Sequence, residues 1–174
     1  MALTYDYITT TTMGANATTL TISSIPSSYT DLIVTFTFRA VTGDARFVYL
    51  RMNGLTTGYS SLNFITEGGS AYGAIYAAQT EWRIGLSQNV QATSGWCVGQ
   101  LEFQNYSDGN ASANARQAMW TVGGVGNTTN NNSIYTGVGL CQTTNALNSI
   151  TLFLAGGNEL QAGTTMTIWG VLRA

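Results

Sequence analysis

Between residues 31 and 39, Leu32, Val34, Phe36 and Phe38 alternate strictly with Ile33, Thr35, Thr37 and Arg39. A two-residue period builds a strand with one apolar face and cannot build an amphipathic helix. Runs of strand length recur over 18–22, 46–52, 82–86, 96–103, 115–122, 134–141, 147–154 and 164–172, and no window sustains a 3.6-residue apolar period. Clusters of Gly, Asn, Ser and Thr separate the runs, and Ile25-Pro26-Ser27-Ser28-Tyr29 turns the chain into the clearest of them. The pattern predicts an all-β protein: a two-sheet antiparallel β-sandwich of jelly-roll type with roughly 8–10 strands, a closed barrel being the other architecture with such a pattern. The runs 147–154 and 164–172 read as a terminal hairpin. Stretches 66–74, 106–114 and 123–133 read as long loops. Residues 1–16 read as an N-terminal arm, extended, that could pair with a neighbour's sheet edge, and 17–174 as a single domain.

Charge is the second constraint. Only 8% of the 174 residues are charged, and histidine and lysine are absent, against roughly 25% charged residues in ordinary domains. A surface so poor in charge suits contact with other protein better than contact with water, which points to an assembly component and, with the architecture, to a homotrimer. The six arginines, Arg39, Arg46, Arg51, Arg83, Arg116 and Arg173, are scattered and the net charge is -2. No basic patch is therefore expected for nucleic acid. No run of about 18 apolar residues marks a membrane span, and the start lacks the pattern of a signal peptide, so synthesis in the cytoplasm is expected. Cys97 and Cys141 lie in apolar runs and read as buried thiols, with a disulfide between them as the minor option.

Without histidine there is no Ser-His-Asp or Cys-His arrangement, and without lysine neither a P-loop nor a Schiff base. Carboxylate chemistry alone remains, with Asp44, Glu67, Glu81, Glu102, Asp108 and Glu159 as the acids that could supply a glycosidase pair. Proximity of some pair among eight acids is no signal, and the chain is read as a non-enzyme. Asp108-Gly109-Asn110 is turn chemistry rather than a calcium loop, so no metal and no cofactor are expected. Trp82, Trp96, Trp120 and Trp169 sit in strand runs and read first as packing residues. Tyr59, Tyr72, Tyr76 and Tyr106, in or beside loops, are better placed to stack on a ligand or fill an interface. Arg39, Arg51 and Arg116, in a chain this poor in charge, are candidates for fixed partners across an interface. With Trp82 they complete the set of candidate contacts.

Four segments carry a resemblance. They are Ser24-Ile25-Pro26-Ser27-Ser28-Tyr29-Thr30-Asp31-Leu32; Met52-Asn53-Gly54 followed by Gly58-Tyr59-Ser60; Glu102-Phe103-Gln104-Asn105-Tyr106; and Ile150-Thr151-Leu152 through Gly163-Thr164-Thr165-Met166-Thr167-Ile168-Trp169-Gly170-Val171-Leu172. In this order and spacing the chain resembles the small jelly-roll or β-sandwich virion proteins of tailed bacteriophages. Where such proteins often carry a lysine after the Asn-Tyr strand, Ala113-Asn114-Ala115-Arg116 supplies an arginine. The resemblance implies a virion structural protein, a capsid decoration or cement protein on the head surface with the major capsid protein and itself as partners. The alternative it leaves open is a tail fibre or baseplate component whose loops hold a host glycan. A cellular carbohydrate-binding sandwich is a third class.

Overall fold

In the computed structural model, residues 3–41, 46–87, 95–107, 115–124 and 132–173 are described. The side chains of Leu3, Ser87 and Arg173 are outside that description, as are Asp44, Asp108-Gly109-Asn110 and most of the expected loops 106–114 and 123–133. Twelve strands run through the described residues: β1 (Leu3–Thr12), β2 (Thr19–Ile22), β3 (Asp31–Phe38), β4 (Arg46–Met52), β5 (Tyr59–Glu67), β6 (Ser70–Gln79), β7 (Trp82–Ser87), β8 (Cys97–Gln104), β9 (Arg116–Gly124), β10 (Ser133–Cys141), β11 (Ile150–Leu154) and β12 (Thr165–Arg173). They form two antiparallel sheets, a wide one in the order β1-β12-β3-β8-β9-β10-β5-β6 and a narrow one in the order β2-β11-β4-β7. The fold is the expected all-β, two-sheet sandwich of jelly-roll type, with twelve strands among the described residues instead of roughly 8–10, because β1, β5 and β6 form in stretches not marked as strand runs by the sequence. No helix among the described residues is long and apolar enough to cross a membrane.

Alternation decides which side chains enter the space between the sheets. β3 sends Leu32, Val34, Phe36 and Phe38 inward, and β11 answers from the narrow sheet with Ile150, Leu152 and Leu154. β4, β8 and β12 follow the same rule with Val48, Leu50 and Met52, with Leu101 and Phe103, and with Met166 and Ile168. One continuous cluster results, with a small satellite of Ile65, Leu86 and Tyr135 at the β6 end.

Two expectations are corrected here. The runs expected as a terminal hairpin belong to different sheets: β11 pairs with β2 and β4, and β12 with β1 and β3. Alternation shows which face of a strand is buried but not which neighbour it pairs with, and both strands bury their apolar faces in the same core from opposite sides. The expected loop at 66–74 is instead the turn and first half of a β5–β6 hairpin. Gly68 and Gly69 both take positive φ, 57° and 84°, which is the two-residue turn whose twist matches the flanking strands. The N-terminal stretch forms β1 along the chain's own β12, with Thr10 and Thr12 hydroxyls bonded to those of Thr167 and Thr165.

The centre of the sandwich is aromatic. Trp82, on β7 of the narrow sheet, lies 5.6 Å from Trp120, 5.7 Å from Tyr59 and 6.0 Å from Phe103, centroid to centroid. Its Nε1 donates to Ser60 O at 3.1 Å and Leu140 O at 3.2 Å, both in the wide sheet. The facing strand β10 is bare: a Cβ at Gly139 would stand 2.6 Å from the Trp82 ring, and one at Gly137 2.7 Å from that of Trp120. Glycine is needed here for close approach, not for an unusual backbone angle.

Gly139→Ala should therefore destabilise the fold by about 1–3 kcal/mol in urea denaturation, the usual cost of overpacking. Gly123→Ala, whose added carbon would meet only Ser133 O at 3.9 Å, should stay within about 0.5 kcal/mol of the parent. Both cysteines are buried thiols not bonded to each other, and burial pushes Cys141 up from 9.0 to about 11. A raised thiol pKa means that the stability this group confers is complete below pH 9 and falls as pH rises towards about 11. The denaturant midpoint should drop across that window, and less steeply in Cys141→Ala; parallel curves for the two proteins would contradict the assignment.

Candidate functional site

The narrow sheet and the wide sheet each turn one face outward, and the two faces differ. On the wide sheet, register aligns three rows across β8, β9, β10, β5 and β6. They run Glu102, Met119, Val138, Leu62, Ile75; then Gln100, Thr121, Thr136, Phe64, Gly73; then Val98, Gly123, Ile134, Thr66, Ala71. Leu62, Phe64, Val98, Met119, Ile134 and Val138 are all exposed, and Ile75 is 80% exposed. In these rows Glu102 is the only charged residue, and its carboxylate accepts from Gln100 Nε2 at 3.0 Å. The far half of the face, on β1, β12 and β3, continues the rows with threonines and with Tyr7, Trp169 and Ile33.

Alternation is what forces this outcome. Each of these strands puts large residues on both faces, and a sheet covered on one side only leaves the second set in water. Seven large apolar side chains exposed side by side make one contiguous patch, and contiguous apolar patches are what mark interaction sites on soluble proteins. Within the patch Gly123 and the short Thr121 and Thr136 leave a hollow of about 690 Å³, walled by Val98, Gln100, Glu102, Met119 and Ile134.

The narrow sheet carries the polar counterpart. Arg51 Nη2 bonds Glu81 Oε2 at 2.8 Å, and its guanidinium lies 4.7 Å from the centre of the Phe153 ring. Phe153 in turn packs against Tyr49 at 5.6 Å. Thr80 Oγ1 donates to the same Glu81 carboxylate. At the β6 end Arg83 stacks 3.2 Å from the centre of Phe47 and donates to Tyr135 Oη at 3.1 Å, with Tyr76 5.3 Å away. Burial pushes Tyr135 up to about 12 in spite of that donor.

Three of the eight candidate contacts are core residues. Tyr59, Trp82 and Tyr106 are buried. Tyr59 Oη accepts from Met52 N at 2.8 Å, and Tyr106 Oη donates to Pro26 O. These rings cannot stack on a ligand in this fold, because the turns that place them near loops also point them inward. Arg116 is buried too, donating to Asn145 O and Thr144 O at 3.0 Å each, so it ties the segment after β10 to β9. Arg51 has its partner within the chain. Arg39 is half-buried beyond the end of β3. Tyr72 and Tyr76 are the accessible aromatics of the set; Tyr72 Oη donates to Glu67 Oε2 at 3.4 Å. The structure does not bring the eight together.

The sequence reading missed the exposed face itself. Its signal was present in Leu62, Phe64 and Ile75, but those residues fell in or beside stretches read as loop. No group of three or more Cys, Asp or Glu side chains comes together among the described residues.

No family model matches the chain, and no curated protein matches it. Among solved structures it is similar to a galectin of Caenorhabditis elegans, at 12% identity and a TM-score of 0.33, covering 94% of this chain and 96% of that one. It is similar to domains LG4-5 of the mouse laminin alpha1 chain, at 14% identity and a TM-score of 0.34, covering 94% of this chain and 41% of that one. A third is the CBM40 of a Ruminococcus gnavus IT-sialidase, bound to alpha2,6 sialyllactose, at 6% identity and a TM-score of 0.28, covering 96% and 90%. Likeness at this level carries no argument about what the chain binds.

The exposed face predicts strong binding of a fluorescent apolar dye by the isolated protein. Met119→Lys should lower that binding by about half, with the thermal midpoint unchanged within about 2 °C. Unchanged dye binding would mean that the patch is not where the dye sits.

Proposed function

We propose that this chain is a non-enzymatic structural protein that lies against protein neighbours through the apolar half of its wide sheet. Its setting in this reading is a phage head, where it decorates or cements the capsid lattice with the major capsid protein as partner. The observation that carries the reading is the outer face of β8, β9, β10, β5 and β6, where Leu62, Phe64, Met119 and Val138 are exposed and Glu102, at the β8 end of its row, is the one charged residue of the three rows. Covering such a patch releases water at a gain of roughly 25 cal/mol per Å², while the absence of lysine and of a dense charge rim leaves little desolvation cost to offset it. The four segments that resemble virion proteins supply the setting. Each of them leads into, ends or lies along core strands: β3, then β4 and β5, then β8, then β11 and β12.

A second reading is a tail or baseplate component that holds a host glycan. The hollow over Gly123 favours it, since Gln100, Glu102, Thr121 and Thr136 surround an apolar wall of Met119 and Val98. Hydrogen-bonding groups set around an apolar surface are what a sugar ring requires.

Quantitative mass spectrometry of purified virions tests the proposal. A copy number equal to, or a simple fraction of, that of the major capsid protein is expected. A count matching tail symmetry would favour the second reading, and absence from virions would overturn both.

A further inference from the structure

We propose that the open edge of β6 joins two copies of this chain, pairing antiparallel with its own equivalent about a two-fold axis. The observation is separate from the apolar face and does not depend on the function proposed above. An edge strand presents a row of unpaired N–H and C=O groups to any strand that approaches, and proteins that stay monomeric blunt such edges. Three of the four sheet edges formed by the described residues are blunted. β1 carries Asp6 and a bulge between Tyr7 and Thr9, β2 is 4 residues long, and β7 carries Arg83 and a bulge of its own opposite Val48/Tyr49.

β6 has none of these devices along most of its length. It is 10 residues long, Ser70–Gln79, with no charged residue and no proline. Its irregularity is confined to the end, opposite Tyr59/Ser61 and at Ala78 with φ 52°. The two-fold is chosen over another partner because the strand is neutral and matches itself. Pairing centred on Ala74 sets Gly73 opposite Ile75 of the partner, so the most exposed large apolar side chain among the described residues meets an empty position. On the other face it sets Tyr72 opposite Tyr76, and cross-strand aromatic pairs are favourable. No like charges meet at any position of the overlap. The two wide sheets become one continuous sheet.

A junction one strand wide is small, about 1,200 Å² in total, the lower limit of stable interfaces, so the dimer should dissociate on dilution. An isologous edge closes with two copies, which departs from the homotrimer expected from composition.

Light scattering on the full chain at micromolar concentrations tests this. A mass approaching twice 18.5 kDa is expected, and a monomeric or trimeric mass at tens of micromolar overturns the proposal. Ile75→Lys brings two cations within diagonal reach across the junction and should return the protein to monomer. Met119→Lys, on the same face but three strands from the edge, should leave the dimer intact. Retention of the dimer in Ile75→Lys, or its loss in Met119→Lys, overturns the edge assignment, the latter by pointing to the apolar face instead. Ala74→Cys should form a covalent dimer under mild oxidation, since Cα atoms directly opposite lie about 4.5–5.5 Å apart, within disulfide reach. Ala71→Cys, far from its own equivalent in this register, should not. Failure of the first or success of the second overturns the register.

Discussion

Trp82 enters the sandwich from the narrow sheet and lies against the bare backbone of β10, where Gly137 and Gly139 leave room for two indole rings. Everything else in the fold is arranged around that approach. The indole nitrogen reaches past the core to the carbonyls of Ser60 and Leu140, so one side chain both fills the largest gap and fastens the sheets by hydrogen bonds. Asn63 adds a second tie at the same level, donating from β5 to Arg83 O on β7 at 3.0 Å. A core with few charges has few means of fixing register. Bulky rings set against glycines provide one, because a shifted strand would bring a Cβ onto an indole.

That arrangement consumes the inner faces of β9, β10 and β5 and leaves their outer faces to water. The same strands that supply Trp120, Tyr135 and Tyr59 inward supply Met119, Val138 and Leu62 outward. The narrow sheet is too small to wrap around to that side, having four strands against eight. On the other half of the outer face, threonine hydroxyl pairs join β1 to β12. Thr121 and Thr136 pair in the same way on the apolar half, and under the function proposed above a protein partner covers the large apolar side chains around them. The polar clusters, by contrast, have partners within the chain, Arg51 with Glu81 and Arg83 with Phe47 and Tyr135.

Much of the architecture was legible because alternation is a local signal. β4 spans residues 46–52 as its sequence indicates, and β3 ends one residue short of the run that marks it. β6 was not legible: Ser70-Ala71-Tyr72-Gly73-Ala74-Ile75 has too few β-branched residues to stand out, and its strand form comes from pairing with β5 across the Gly68-Gly69 turn. The pairing of β11 and β12 was not legible either, since partner choice is a property of the whole sheet. The candidate contacts fared according to what positions them. Tyr72 is exposed because the edge strand leaves it so. Tyr59 and Tyr106, equally close to turns, are drawn inward by backbone groups at Met52 and Pro26 that need their hydroxyls.

In the proposed assembly the outer face of the wide sheet is covered in the working state of the protein. Methionine oxidation reads this directly, because Met119 is exposed on that face while Met52 and Met166 are fully buried in the core. A peroxide footprint taken on the isolated chain and on the particle or complex that contains it gives the comparison. Rapid oxidation of Met119 is expected in the isolated chain and strong protection in the assembly, with Met52 and Met166 slow in both. Equal oxidation of Met119 in the two states would contradict coverage of the face.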